Sequence, residues 1–143
     1  MIPWQMRFIG ISREYCASAQ TALFPAHAIR YRRVMTEEHC IVLCTVPDSA
    51  TGEQLAQSVV EARLAACVNL LPAVTSIYRW QGNIQKDAEC LLIIKTRRDR
   101  FASLRDMLRE QHPYELPEII AVPLIDGLPA YLSWIDQNLE PSP

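Results

Sequence analysis

The spacing of apolar residues changes several times along the chain, and each change marks a predicted element. The run HCIVLCTV, residues 39–46, is short, apolar and β-rich, and it is followed by Pro47, which predicts a buried strand. Apolar residues then recur at helical spacing over about 51–65. The aspartate, serine and threonine of residues 48–51 are candidate caps for this helix, and Thr51 with Gln54 fits a capping box. The periodic part of the chain therefore begins with a strand and a helix.

Two long β-rich segments come next and predict a hairpin. Residues 66–80 are extended and apolar, and Pro72 favours a bulge or an edge position within them. The chain turns at residues 81–83 and returns through residues 83–96, which end in the apolar run CLLIIK. These segments are the second and third predicted strands.

The last third of the chain contains two helices separated by a strand. A helix over residues 100–111 ends before Pro113, because the residue before a proline resists helical angles. A strand is predicted over residues 116–125, and a final helix follows Gly127. The order βαββαβ with a C-terminal helix predicts an α+β, ferredoxin-like domain over residues 35–143, with the helices on one face of an antiparallel sheet.

The predicted hairpin is longer than its own domain. Fourteen residues, 66–79, span roughly 46 Å at about 3.3 Å per residue, whereas a compact domain of this size is roughly 33 Å across. Unpaired strands with apolar side chains recruit other chains. The overhang therefore predicts a closed homo-oligomer built by the hairpin, which shelters Val74, Ile77, Tyr78 and Trp80.

The first 34 residues have neither a helical nor a strand period, and they lack the order of a signal peptide. They carry five arginines and one acid, a net charge of +4, and a more ordinary opening begins at Met35. We interpret residues 1–34 as an N-terminal extension, added or mis-started, with a functional tail or an organelle presequence as the alternatives.

The amino-acid composition limits which partners and which cellular compartment are expected for this protein. Half of the 143 residues are apolar, and no run is long and uncharged enough to cross a membrane. Residues 35–143 carry a net charge of −6, a poor surface for nucleic acid. The five cysteines form no CxxC pair and are typical of free thiols in a reducing cytoplasm.

Several motifs in one order resemble the CutA divalent-cation tolerance family. They are LCTVPD, EARLAACVNLLP, SIYRWQGNIQ, LLIIKT and HPYELPEIIAVPLIDGLPAYLSWI, within residues 39–138. The resemblance implies a ferredoxin-like fold, a homotrimer held by long hairpins of the second and third strands, and a cytoplasmic protein. It also implies a link to copper tolerance and copper binding.

Carried over by motif, the resemblance implies two copper ligands, Cys44 in LCT and His112 before PY. Gln111 stands where the family has another histidine, and glutamine is a poor copper ligand, so at most two ligands come from one subunit. Cys40 and Cys44 cannot bind the same metal ion, because their Cα atoms lie roughly 13 Å apart on a strand.

The segment EQHPYELPEII, residues 110–120, predicts a rigid corner, since its two prolines forbid a continuing helix. The corner either packs against Trp134 or shapes a cleft between subunits. Aromatic residues near it fill an interface or stack on a ligand. The residues we assign to this inter-subunit cleft are Tyr78, Trp80, Lys95, Tyr114, Glu115, Glu118 and Trp134.

Three functions remain open from the sequence. The first is a cytosolic, trimeric, metal-responsive protein that binds copper or another divalent cation weakly and is not an enzyme. The second is a sensor of small molecules or nucleotides, similar to the PII signalling proteins, with ligands in the clefts between subunits. The third is an enzyme that uses Lys95, Tyr114 and Glu118, although no catalytic set is apparent by spacing.

Overall fold

A computed structural model describes residues 38–140, and the α+β prediction is confirmed there. Four strands form one antiparallel sheet in the order β2-β3-β1-β4, the ferredoxin-like arrangement. The elements are β1 (His39–Val46), α1 (Ser49–Glu61), β2 (Cys67–Trp80), β3 (Asn83–Arg97), a 3-10 turn (Arg98–Arg100), α2 (Phe101–Gln111), β4 (Ile120–Pro123) and α3 (Pro129–Leu139). The extension assigned to residues 1–34 lies outside the described residues.

Helix α1 begins earlier than its sequence pattern indicates. The carboxylate of Asp48 accepts a hydrogen bond of 2.7 Å from the backbone N–H of Thr51, so Asp48 is the N-cap and the predicted capping box at Thr51 is wrong. The helix ends at Glu61 rather than near residue 65, since Arg63 takes a left-handed φ of 54°. Aspartate at the cap is favoured because its side chain satisfies a free N–H of the first turn.

The main core lies between α1, α2 and one face of the sheet. Alternate residues of β1 and β3 are buried, as expected for strands that show one face to helices. Each of these alternate β1 residues pairs with a β3 residue whose side chain points to the same face of the sheet. The buried side chains with 0% exposure include Val42, Cys44, Val46, Leu92, Ile94, Leu104 and Leu108.

Helix α3 contacts the opposite face of the sheet, so the prediction that all helices share one face is wrong. Its Asp136 accepts a hydrogen bond of 2.9 Å from Nε2 of His39 and lies 3.7 Å from the guanidinium of Arg97. The side chains of His39 and Arg97 point away from the main core, because these two residues alternate along β1 and β3 with the residues that face it. Helix α3 buries Ile135 and Leu139 in a second hydrophobic cluster with Ala66.

Strands β2 and β3 form the predicted hairpin and pair up to its tip, where Trp80 lies opposite Asn83. The turn consists of Gln81 and Gly82, with φ of 47° and 84°. Two positive φ values are typical of the tight turns that match the twist of paired strands. A two-residue turn also fixes which residues face each other along the outer hairpin.

A bulge divides the hairpin into an inner and an outer half. The register shifts between Leu71 and Val74, where Ala73 takes a φ of 61° next to Pro72, so the bulge predicted there is confirmed. Beyond it, Ile77 is 68% exposed and Ile84 is 62% exposed. The outer half thus leaves apolar side chains uncovered within one subunit.

The last strand is shorter than the sequence pattern predicts. It covers Ile120–Pro123 rather than residues 116–125, and it pairs only with β1. Pro113 and Pro117 lack the N–H that a strand needs, so residues 112–119 form an irregular corner instead. Within residues 38–140, no helix combines the length and apolar character needed to cross a bilayer.

Candidate functional site

A cleft of about 520 Å³ opens between the outer hairpin and the proline corner. This volume lies in the range of small-molecule sites, about 300–1,000 Å³. The lining comes from the end of β1, from both hairpin strands and from the segment after α2. Its residues are Thr45, Ser76, Tyr78, Trp80, Glu89, Pro113, Tyr114, Glu115, Leu116 and Glu118.

The hairpin supplies its part of the cleft from one face. Ser76, Tyr78 and Trp80 alternate along β2, so their side chains point to the same side. The register set by the turn places Glu89 opposite Val74, next along the same face. The bulge and the turn together therefore place an acid of β3 on the same face of the hairpin as the aromatic residues of β2.

His112 fastens the corner to the sheet. Its Nε2 lies 2.9 Å from the carbonyl oxygen of Thr45, and the backbone N–H of Tyr114 donates to its Nδ1 at 3.0 Å. Because Nδ1 accepts, Nε2 carries the hydrogen and donates to Thr45. Burial lowers the pKa of His112 below its ordinary value of 6.5, which keeps the ring neutral.

Two tyrosines of the cleft donate to carboxylates. The hydroxyl of Tyr114 donates to Glu89 at 2.9 Å, and that of Tyr78 donates to Asp87 at 2.7 Å. Burial first, and then Glu89, raise the pKa of Tyr114 to about 12. The hydrogen bond to Asp87 raises the pKa of Tyr78. Both phenols therefore stay protonated at neutral pH and serve as hydrogen-bond donors, not as bases.

Cys44 lies beneath the cleft in the main core, with 0% exposure. Burial raises the pKa of its thiol to about 12, and the charges of Glu118 and Glu89 act in the same direction. A metal binds the thiolate, and a pKa of about 12 keeps the Cys44 thiol protonated at pH 7.

The pair Cys44 and His112 does not fit a metal ion in this geometry. Both ring nitrogens of His112 are engaged in hydrogen bonds, and the Cys44 thiol is protonated and buried. A ligand needs a free ring nitrogen or a thiolate. Among residues 38–140, no group of three or more histidine, cysteine or acidic side chains is arranged to hold a metal. Binding at this pair requires the corner to open.

The structure brings together five of the residues assigned to the cleft from sequence, which are Tyr78, Trp80, Tyr114, Glu115 and Glu118. Lys95 does not line the cleft. Its ammonium donates to the side chain of Asn69 and to the carbonyl oxygen of Ile93 at 3.3 Å.

Trp134 lies apart from this lining as well. Its ring stacks on that of Tyr131 within α3, with centroids 5.4 Å apart. Of the residues proposed for an enzymatic site, Tyr114 and Glu118 share the cleft and Lys95 does not line it.

Sequence reasoning missed Glu89, the most buried acid of the cleft, at 8% exposure. The signal was present in the hairpin turn. A two-residue turn at Gln81 and Gly82 fixes the strand register, and the register puts residue 89 on the face of Tyr78 and Trp80. The sequence prediction gave the turn three residues, 81–83, and a turn of that length would put residue 89 on the other face of the hairpin.

Fold and site together define a small α+β protein with a ferredoxin-like sheet and an aromatic, acidic cleft beside its hairpin. The family model described as CutA1 divalent ion tolerance protein matches residues 40–138. Since the match covers more than half of the chain, the chain belongs to this family.

Curated relatives agree with the family assignment. A divalent-cation tolerance protein CutA of Thermus thermophilus is 46% identical over 98 residues, which are 68% of this chain and 95% of that protein. The proteins named CutA from mouse and human are each 47% identical over 96 residues, and the match spans 54% of their length. The chain thus spans about half of the length of these two mammalian relatives.

Solved structures agree with the fold. The divalent cation tolerance protein of Thermus thermophilus aligns with a TM-score of 0.69 at 45% identity, over 70% of this chain and 97% of that one. Rice CutA1 aligns with a TM-score of 0.71 at 41% identity, over 76% of this chain and 99% of that one. The α+β sheet described above is therefore the fold of this family.

Proposed function

We propose that this protein acts in tolerance to divalent cations as a cytoplasmic homotrimer that binds copper or a related cation weakly and catalyses no reaction. The observation that carries the proposal is the family match over residues 40–138. The family is named for tolerance and not for a reaction, which supports a role in binding or response. Cys40, Cys44, Cys67 and Cys90 are free thiols, which supports the cytoplasmic part.

The trimer is supported by the outer hairpin. Ile77 and Ile84 lie on one face of it, and both are more than half exposed in a single subunit. The strand order leaves β2 and β4 as the two edges of the sheet, each able to pair with another chain. A closed ring of three subunits would cover the apolar face and both edges.

For the cation, we propose that Cys44 and His112 bind copper only when the corner opens. The ring of His112 must release Thr45 or Tyr114, and the Cys44 thiol must lose its proton. Each step costs free energy, so the expected affinity is low. Weak binding of this kind suits a protein that responds to excess cation and does not hold one permanently.

Titration of Cu(I) under reducing conditions tests this site. The wild type is expected to bind more tightly than the Cys44→Ala/His112→Ala double variant, and its affinity is expected to rise with pH because the thiol must ionise. Cys90→Ala is the matched control, since Cys90 is equally buried but lies outside the proposed pair. Equal affinity in wild type and double variant would eliminate the site.

A small-molecule sensor is the second candidate, and the cleft favours it. A volume of about 520 Å³ suits an organic ligand better than a single ion. The acidic lining argues against the phosphates of a nucleotide, which a negative field repels. Within this candidate, a ligand without phosphate is the better fit.

We also propose that residues 1–34 are an extension to the family domain, since the family match begins at residue 40. The intact mass of the natively expressed protein distinguishes a chain that starts at Met1 from one that starts at Met35.

A further inference from the structure

The cleft carries negative charge that its own lining does not neutralise. Glu89, Glu115 and Glu118 line it, and among the described residues no lysine, arginine or histidine does so. Clefts lined by one sign of charge concentrate ligands of the opposite sign. The expected ligand is therefore a cation.

Glu89 is the centre of this charge. It is 8% exposed, and one carboxylate oxygen accepts the hydrogen bond from Tyr114 at 2.9 Å. Within residues 38–140, none of the ion pairs includes Glu89, and its second oxygen takes part in no described hydrogen bond. A buried carboxylate without a cationic partner is costly, and such groups mark binding sites.

Aromatic side chains share the cleft with this carboxylate. Tyr78, Trp80 and Tyr114 all line the cleft, and the hydroxyls of both tyrosines are already bound to acids. Indole and phenol rings attract a positive charge that lies within about 6 Å of the ring centre. The combination of a carboxylate and several aromatic rings is the pattern that recognises organic cations.

The size of the cleft separates an organic cation from a metal ion. A volume of about 520 Å³ is far more than one ion requires. The described residues also offer no group of three metal ligands. The second oxygen of Glu89 can accept a hydrogen bond, which a protonated amine or a guanidinium donates and a quaternary ammonium does not.

We propose that this cleft is a binding site for a small organic cation with N–H donors, a protonated amine or a guanidinium. Glu89 is its counter-ion, Tyr114 holds the carboxylate in place, and Tyr78 and Trp80 form the aromatic wall. The proposal rests on the second candidate function, a small-molecule site in this cleft, and it names the chemical class of the ligand.

Isothermal titration calorimetry of the full chain with agmatine, a guanidinium and amine probe, tests the proposal. Binding to the wild type is expected, and Glu89→Gln is expected to weaken it about tenfold or more, because a charge-assisted hydrogen bond is lost. Trp80→Leu is expected to weaken it severalfold through the lost ring. Glu53→Gln, the same exchange on the exposed side of α1, is the matched control and should bind like the wild type.

Competing probes sharpen the result. Tetramethylammonium, which has the charge but no donors, should bind more weakly than agmatine, and ATP should not compete. The melting temperature and solution mass of each variant show whether it is folded and assembled, so a binding loss is separable from a loss of the trimer. Equal agmatine affinity in wild type and Glu89→Gln, or tighter binding of ATP than of agmatine, would overturn the proposal. So would an absence of agmatine binding to the wild type.

Discussion

The inner and outer halves of the hairpin are continuous strands with opposite environments. Leu92 and Ile94, in the inner half of β3, are fully buried under the helices, whereas Ile77 and Ile84 in the outer half are 68% and 62% exposed. The inner half stabilises the subunit, and the outer half holds the cleft and the apolar face assigned to assembly. Apolar side chains thus form the core in the inner half, and in the outer half they lie on the surface that we propose for assembly.

Charging the outer half should have the largest effect, and it should act on assembly. Replacing both residues, Ile77→Asp and Ile84→Asp, places like charges on the face proposed to contact neighbouring subunits, so the trimer is expected to separate into single chains. Multi-angle light scattering measures the mass directly. Val60→Asp, on an exposed position of α1 with 40% exposure, is the control and should leave the mass unchanged. A folded wild type with the mass of a single chain would contradict the assignment of the outer half to assembly.

Truncating the core should have the next largest effect, and it should act on the free energy of unfolding. Leu104 on α2 is 0% exposed, so Leu104→Ala is expected to destabilise the protein by about 2–5 kcal/mol through lost burial and a residual cavity. Val60→Ala should change stability by less than about 0.5 kcal/mol. Guanidinium unfolding at one fixed protein concentration measures both. A Leu104→Ala cost as small as that of Val60→Ala would mean that the helix-covered half is not the stabilising one.

The smallest expected effect is a pH dependence at the boundary between the halves, where His112 ties the corner to Thr45. Burial lowers the pKa of His112 in the folded state, so the unfolded state binds the proton more readily. Its contribution to stability is complete above the ordinary pKa of 6.5 and is lost as the pH falls below it towards the lower folded value. The difference in the free energy of unfolding between pH 7.5 and pH 5.5 should therefore be smaller in His112→Asn than in the wild type.

Carboxylates titrate at lower pH in both proteins, so the comparison of wild type with His112→Asn isolates the imidazole. An unchanged difference between the two pH values would show that His112 does not hold the corner. Glu110→Gln, on the exposed end of α2, changes a neighbouring charge without touching the ring and is the control.

Much of the fold followed from the sequence because burial imposes a period. Apolar, β-rich runs at β1 and β3, helical spacing on α1 and α2, and the turn at Gly82 predicted the element order and the long hairpin. The cleft was predicted in part, since Tyr114 and Glu118 lie on a corner that prolines define. Lys95 was assigned to it because its ammonium leaves an apolar strand, and only the fold reveals Asn69 beside it.

What the sequence determined by itself is the side of each element that turns inward and the length of the hairpin, since both are local properties of spacing and of extended geometry. Tertiary structure alone decided which surface each side meets. It placed α3 on the second face of the sheet, engaged both nitrogens of His112, and set Glu89 in the same cleft as the aromatic residues of β2. Periodicity specifies an orientation but not a neighbour, because a neighbour depends on register, on the bulge at Ala73 and on the space that other elements leave.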